Sequence, residues 1–214
     1  MPEITKKKPM IKQTVGDMYY AFNTMTESGE YNPGVYEGTI ECATVKNIGT
    51  TENSETTVVK ASGQDYETVS QETSIDMAVE AVAFDPGDLA RMKGENVDNG
   101  GLVLGGAPTK RPFFAYGKVV KKVGGGERFE WFPKCQLVEI TDDIATSEES
   151  FSEQNVTVTI RAYSFNNAEN KKSYVDSEMS NFPEGLTEAK FFKAPILTAA
   201  DLAAAISGNN VQGA

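Results

Sequence analysis

The clearest pattern along the chain is the alternation of apolar and polar residues, which predicts β-strands. Residues 36–42 place their apolar and small side chains on one parity and Glu37, Thr39 and Glu41 on the other. Residues 156–162 repeat the pattern, and their inward positions are Val156, Val158, Ile160 and Ala162. Each segment is typical of a strand that buries one face and exposes the other.

A long run rich in Thr, Val and Ser, residues 58–84, predicts a further strand. Near its end Asp76 and Glu80 lie on one face, and the opposite face carries Ile75, Met77, Val79, Ala81 and Ala83. Residues 113–123 and 127–141 are another pair of candidate strands, and three glycines separate them. This arrangement predicts a β-hairpin.

Two segments carry the start and stop signals of short helices. In residues 85–94, Asp85 suits the N-cap, Pro86 the first turn and Gly94 the position after the last turn. Residues 198–206 are rich in alanine and begin at Thr198, a second N-cap residue. The first helix is short, so we expect it to flank a sheet rather than to organise a core.

The remaining segments are long and polar and predict loops at residues 47–57, 93–111 and 166–173. The first residues predict a flexible N-terminal arm. Together these elements predict a mostly β fold, a β-sandwich or incomplete barrel with one flanking helix, long loops and a possible C-terminal helix. The expected parts are an arm (1–15), a β domain (16–180) and a C-terminal extension (181–214).

Charge and residue usage narrow the functional classes. The 214-residue chain carries 31 Asp and Glu against 20 Lys and Arg, a net charge of −11, which argues against a surface that grips phosphates. The absence of histidine excludes Ser-His-Asp and Cys-His catalysis and imidazole zinc sites. We find neither a signal peptide nor an apolar run near the roughly 18 residues of a membrane span, so we expect synthesis in a cytoplasm. There Cys42 and Cys135 are expected as two buried thiols.

Candidate sites for small ligands carry weak signals. The glycine-rich residues 100–106 lack the spacing of a phosphate-binding loop. Acidic residues at 141–143 and 148–149 could hold a hard cation, although such clusters are usually solvated. Trp131 and Tyr116 could stack on a sugar, although aromatic residues in strands more often belong to a core. We therefore expect no cofactor, no metal and a structural or binding protein rather than an enzyme.

The order and spacing of several segments resemble the phage major tail proteins of long, non-contractile tails, the phi13-type group. The resemblance begins with Val15-Gly16-Asp17-Met18-Tyr19-Tyr20-Ala21 and Gly38-Thr39-Ile40-Glu41. It continues with residues 73–84, which run directly into the helix at 85–94, and with Phe113-Phe114-Ala115-Tyr116-Gly117. It ends with the strands at residues 130–135 and 156–162, and it covers about residues 14–180.

That resemblance implies a β-sandwich whose subunits assemble into hexameric rings, with strands of six subunits closing a barrel around a channel. The rings stack into a tail tube in the virion, where the partners are further copies of the chain and the tape measure, tail terminator and distal tail proteins. Phage DNA passes through the channel as non-specific cargo, and an acidic lumen repels its phosphates. The family's role involves no catalysis and no membrane.

Two groups of residues are candidates for these roles. The candidate lumen residues on polar strand faces are Glu37, Glu41, Asp76 and Glu80, although these faces could instead form the outside of the tube. The candidate inter-ring residues on the arm and the loops are Lys6, Lys7, Lys8, Asn47, Thr51, Glu52, Asn99 and Gly100. A basic run in an acidic protein is either a solvated terminus or an arm that docks on an acidic neighbour.

Other interpretations remain open on the sequence alone. One is a monomeric carbohydrate- or surface-binding β-sandwich that uses Trp131 and Tyr116. A hydrolase with a carboxylate pair ranks behind it, because nothing in the sequence marks such a pair. A tube protein of another injection machine, such as a contractile tail or a secretion system, would share the ring and the channel.

Overall fold

Ten strands and three short helices make up the described part of the chain, which is residues 7–98, 100–107, 110–146 and 153–208 of a computed structural model. The strands are β1 (Lys12–Phe22), β2 (Ile40–Cys42), β3 (Val45–Ala61), β4 (Gln64–Ala81), β5 (Asn96–Val97), β6 (Val103–Leu104), β7 (Phe114–Lys122), β8 (Glu127–Asp142), β9 (Val156–Ala162) and β10 (Ser173–Asp176). The helices are α1 (Pro86–Lys93), α2 (Glu188–Phe191) and α3 (Ala199–Ser207). The mostly β class expected from the sequence is confirmed.

Eight of the strands form one antiparallel sheet in the order β2-β1-β7-β8-β9-β4-β3, with β10 also paired to β8. Strand β8 joins the two halves of this sheet, because residues 128–131 pair with β10 and residues 135–142 pair with β9. Pro133 lies between these two parts of the strand. The sheet does not close into a barrel, since β2 and β3 remain at its two ends.

The two halves of the sheet enclose a hydrophobic cluster, here called the sandwich core. Strands β1, β7 and β8 supply mainly aromatic side chains: Met18, Tyr20, Phe22, Phe114, Tyr116 and Phe132. Strands β4 and β9 supply smaller ones: Ile75, Met77, Val79, Ala81, Val158, Ile160 and Ala162. The alternation of β9 and of the second half of β4 therefore predicted their buried faces correctly, and the architecture is that of a β-sandwich.

The opposite face of β1, β7 and β8 carries a second cluster, the C-terminal core, which the chain after β10 covers. Phe191 and Phe192 are each at most 2% exposed. The Phe192 ring stacks on Tyr19 at a centroid distance of 4.0 Å, and Trp131 Nε1 donates a hydrogen bond of 3.1 Å to the Phe191 carbonyl. Burial of each ring contributes roughly 2 kcal/mol to folding. Much of the expected C-terminal extension is therefore part of the core.

Both predicted helices are confirmed, together with their caps. The Asp85 side chain accepts two backbone N–H hydrogen bonds from the first turn of α1, and Gly94 ends the helix with φ of 75°. Thr198 and Asp201 form a capping box at the start of α3. Helix α1 buries Met92 in the sandwich core, so it flanks the sheet as its length indicated.

The long β3–β4 hairpin corrects the sequence analysis. Residues 47–57, expected as a loop, lie within β3, and a turn at Ser62 and Gly63 divides the strand predicted at residues 58–84. Both turn residues have positive φ, 53° and 80°, as a two-residue hairpin turn with the twist of the strands requires. The pattern misled here because most of this hairpin exposes both faces, so neither face needs an apolar set.

Other boundaries differ less from the prediction. Strand β1 begins at Lys12, inside the stretch 1–15 that was expected as an arm. Only Ile40–Cys42 of the strand predicted at residues 36–42 forms β2. The expected loop 93–111 contains the small hairpin of β5 and β6. The predicted hairpin after the first helix is confirmed as β7 and β8.

Gly117 of β7 tests how tightly the C-terminal chain is packed. A Cβ on this residue would lie 2.7 Å from Cε1 of Phe192 and 3.1 Å from Cε3 of Trp131. Both rings are held in the C-terminal core, so Gly117→Val should lower the free energy of unfolding by roughly 2–3 kcal/mol through overpacking. Urea denaturation followed by circular dichroism measures this change.

Gly49→Ala on β3 is the matched control, because a Cβ there would come no closer than 3.9 Å, to Ala78. We expect its free energy of unfolding to change by less than about 0.5 kcal/mol. An equally small effect of Gly117→Val would show that the C-terminal chain does not pack on β7.

Candidate assembly surfaces

The outer part of the β3–β4 hairpin, residues 53–74, extends beyond the sandwich and is here called the projecting hairpin. Strand β4 pairs with β9 only from Ile75 onward, so within the described residues this part is a ribbon of two strands. Residues 53–61 of β3 give it a length of about 30 Å at roughly 3.3 Å per residue. Its exposed large apolar side chains are Val58, Val59, Tyr66 and Val69. A two-stranded ribbon without a buried face has little stability of its own.

The two edges of the sheet are unequal. Strand β2 at one end has three residues, whereas β3 at the other end has 17 and pairs with β4 alone in the described part of the chain. A long free edge presents a row of backbone N–H and C=O groups that a further strand can pair with. Strand β3 contains no proline, and its charged residues are Lys46, Glu52, Glu55 and Lys60, so most of its 17 positions carry none of the residues that block such pairing.

The side of β4 and β9 opposite the sandwich core carries polar residues and is here called the polar face. Asp76 lies opposite Arg161 and accepts hydrogen bonds of 2.6 and 2.9 Å from its guanidinium. Arg161 thereby holds the pKa of Asp76 below its ordinary value, against the opposing effect of burial. Glu80 lies further along the same strand and accepts a hydrogen bond of 2.8 Å from Asn155. Two of the four candidate lumen residues therefore share one surface.

The other two candidate lumen residues lie on different surfaces. Glu37 forms a two-point ion pair with Arg91 of α1, and these hydrogen bonds lower the pKa of Glu37. Glu41 lies on β2 opposite Tyr19, which belongs to the C-terminal core. Alternation within one strand cannot show how separate strands are placed, so the sequence grouped four carboxylates that the fold divides.

The candidate inter-ring residues are spread over three parts of the molecule. Those that the structure describes are all exposed: Lys7 and Lys8 before β1, Asn47, Thr51 and Glu52 on β3, and Gly100 between β5 and β6. Three of them thus belong to a strand rather than to a loop. Lys6 and Asn99 lie outside the described residues.

An exposed apolar patch on the β5–β6 hairpin escaped the sequence analysis. Its members, which are 39% to 71% exposed, are Val97, Leu102, Val103 and Leu104. Several exposed apolar side chains in one short hairpin mark an interaction surface more strongly than scattered ones do. The available signal was the apolar run at residues 102–104 between two pairs of glycines.

The aromatic residues considered for sugar stacking are buried. Trp131 and Tyr116 are at most 1% exposed and belong to the two cores, so neither can stack on a ligand. This finding corrects the carbohydrate-binding alternative, which depended on these side chains. Cys42 and Cys135 are free thiols, the first half-buried and the second buried.

The described residues contain neither a cluster of metal-ligating side chains nor a helix suited to span a membrane. Within them, no group of three or more Asp, Glu, Cys or His side chains is placed to hold a metal ion. Glu148 and Glu149 of the acidic segment lie outside the described ranges. None of the helices in those ranges combines the length and the hydropathy of a membrane span.

Comparisons with known proteins add little to this geometry. No protein-family model and no curated protein matches the chain. A chain in the cryo-EM structure of the six-fold symmetrised baseplate of the anti-feeding prophage aligns with a TM-score of 0.44 and 8% identity. The alignment covers 81% of this chain and 100% of that one. A likeness of this size fixes neither the fold family nor the function of this chain.

The ion pair on the polar face gives a pH-dependent prediction. The pKa of Asp76 is lower in the folded protein than in the unfolded chain, so its stabilising contribution is complete above pH about 4 and is lost as the pH falls through the folded pKa. At pH 7, Asp76→Asn should lower the free energy of unfolding by about 0.5–1 kcal/mol, because the pair is partly exposed. Denaturation at pH 7 and at pH 3 measures both values, and the difference from wild type should shrink at pH 3.

Glu67→Gln on the projecting hairpin is the matched control, since the described structure gives Glu67 no ion pair. Its stability should equal that of the wild type at both pH values. A constant deficit of Asp76→Asn across the pH range would contradict the assignment to ion pairing.

Proposed function

We propose that this chain is a structural protein of a phage virion, a tail tube subunit that acts by self-assembly and without catalysis. Its subunits form hexameric rings, and the rings stack into the tube through which phage DNA passes. The hexameric ring and the tube are what the resemblance of residues 14–180 to the phi13-type major tail proteins implies. The β-sandwich with one flanking helix agrees with that family's fold.

The observation that carries the proposal is the projecting hairpin with its free edge. A two-stranded ribbon about 30 Å long with both faces exposed is expected to be only marginally stable in a monomer. Its 17-residue edge strand is also a hazard for aggregation unless another strand pairs with it. Side-by-side pairing of hairpins from six subunits in a closed ring removes both difficulties, because ring closure leaves no free edge.

The polar face and the net charge suit a channel for DNA. Asp76 and Glu80 lie on β4 directly after its projecting part. A barrel built from these hairpins would therefore carry carboxylates along its wall. A wall of this kind repels phosphate and lets DNA slide. Glu37 and Glu41 lie elsewhere and are not part of this proposed lining.

Ring stacking needs contacts at other surfaces. The exposed apolar patch of β5 and β6 and the arm that bears Lys7 and Lys8 are suited to bridge one ring to the next. The tape measure, tail terminator and distal tail proteins are the further partners that this role requires. Localisation in the virion follows from the same role.

Removal of the projecting hairpin tests the proposal directly. Glu52 and Ile75 are paired residues of β3 and β4, so an Asn-Gly turn between them can replace residues 53–74 and close a shorter hairpin. We expect this variant to fold as a monomer with a melting temperature within about 5 °C of wild type, because the removed residues contribute nothing to either core. Negative-stain electron microscopy and sedimentation velocity should show rings or tubes for the wild type and none for the variant.

Gln71→Ala is the matched control for this truncation. It removes the hydrogen bond of 3.1 Å from Gln71 to Glu169, which ties the hairpin to the body, and leaves the hairpin itself in place. This control should assemble like the wild type. Rings or tubes formed by the truncated chain at the wild-type concentration would contradict the proposed role of the hairpin.

A further inference from the structure

A cleft of about 710 Å³ opens where the sandwich core ends, at the base of the projecting hairpin. Its walls come from the start of β1, from β7 and β8, and from β3 up to Glu52. Apolar parts of the wall are supplied by Val15, Ile48, Val120 and Phe132. The remaining lining is polar and mostly charged, which is unusual for a space that continues a hydrophobic core.

The floor of the cleft holds two charged side chains that are almost fully buried. Lys118 and Glu130 are 6% and 5% exposed, with Lys118 Nζ 3.1 Å from a Glu130 carboxylate oxygen. Lys118 also donates a hydrogen bond of 2.6 Å to Thr50 Oγ1. Burial lowers the pKa of Lys118 despite the neighbouring carboxylate. Arg128 Nε lies 2.9 Å from the other oxygen of Glu130, so one carboxylate forms ion pairs with two cations.

The rim adds more positive charge than it neutralises. Lys172 pairs with Glu52, and Lys46 pairs with Glu153. Lys12 lines the same cleft and makes no ion pair within the described residues. Lys12 is therefore one uncompensated positive charge, and the second arises because Lys118 and Arg128 share the single carboxylate of Glu130. Both lie around the cleft of a chain whose net charge is −11. Such a site favours an acidic occupant, and the apolar wall favours one that also carries an apolar group.

We propose that the cleft receives the tip of the projecting hairpin from a second copy of this chain, the segment Asp65-Tyr66-Glu67. This contact rests on the proposed assembly and names one of its interfaces. Tyr66 is 75% exposed and lies between Asp65 and Glu67 in the sequence. Asp65 pairs with Lys60 of the same hairpin at 3.7 Å, whereas Glu67 makes no ion pair within the described residues, so the segment offers one large aromatic ring and one uncompensated negative charge. Aromatic anchors surrounded by complementary charge are typical of the residues that dominate protein interfaces.

The tip cannot fill the cleft of its own chain. Glu67 lies opposite Val59, seven residues along β3 from Glu52 at the cleft, a separation of about 23 Å in extended strand. The strand leads away from the cleft, so a second molecule must supply the tip. Tip and cleft are different surfaces, and the contact between them is therefore head to tail and can be repeated from copy to copy.

Charge reversal tests this contact with the full-length chain. Lys12→Glu and Glu67→Lys should each raise the critical concentration for assembly about tenfold, which corresponds to about 1.4 kcal/mol per contact. The two changes combined should restore assembly to within about threefold of wild type, because the ion pair is re-formed with reversed sign. Lys110→Glu is the matched control: it makes the same charge change outside the cleft and should leave the critical concentration unchanged.

A second measurement identifies the contacting residues. Zero-length carbodiimide cross-linking of assemblies made from equal parts of ¹⁵N-labelled and unlabelled chain should join Lys12 or Lys172 to Asp65 or Glu67. Such cross-links should carry mixed isotopes, as contacts between copies do. Tyr66→Ala should reduce their yield at least fivefold.

The outcomes separate this contact from the function on which it rests. Wild-type assemblies whose critical concentration is unaffected by Lys12→Glu and Glu67→Lys would overturn the contact and leave the tube intact. Cross-links from the tip to residues outside the cleft would overturn it as well. A wild-type chain that never assembles would overturn the tube function, and this interface would fall with it.

Discussion

The fold depends on one strand that belongs to both layers of the sandwich. The first part of β8 pairs with β10 and the second part with β9, and Pro133 stands between them. Phe132 and Cys135 both reach the sandwich core although they are three residues apart, so the regular alternation shifts by one residue at this point. The proline lacks an N–H, which permits an interrupted ladder here. Since both cores are built on this strand, the bend fixes where the two halves of the sheet meet.

The separation of cores from assembly surfaces follows from this arrangement. Every aromatic side chain of β7 and β8 is committed to one of the two cores, as the burial of Trp131 and Tyr116 illustrates. Within the described residues, this part of the sheet therefore leaves no apolar face for a partner. What remains for interaction is at its extremities: an edge strand, a hairpin that leaves the body, and a short apolar loop hairpin. The cleft at the base of the projecting hairpin adds a charged surface to these three.

Sequence reasoning succeeded where local chemistry alone determines structure. The caps at Asp85 and Thr198 placed two helices, and the strict alternation of residues 156–162 placed β9. It failed for residues 47–57, because a strand exposed on both faces has no alternation, and the two-residue turn at Ser62 and Gly63 was the signal that could have revealed it. The burial of Phe191 and Phe192 depends on contacts with strands far away in the chain, which no local pattern encodes. Among the candidate lumen residues, Asp76 and Glu80 lie on one face because they share one strand, and their place in a lumen stays a prediction.

Trp131 is an intrinsic fluorescent reporter of the C-terminal core. It is the chain's single tryptophan, fully buried against Phe192 and hydrogen-bonded to the backbone of the C-terminal segment. An indole in such an apolar environment emits at shorter wavelength than one in water, and the emission changes when that segment detaches. The projecting hairpin contributes no tryptophan and touches neither side of this ring. Tryptophan emission, excited selectively at long wavelength so that Tyr66 does not contribute, therefore reports the integrity of the body and does not report on the projecting hairpin.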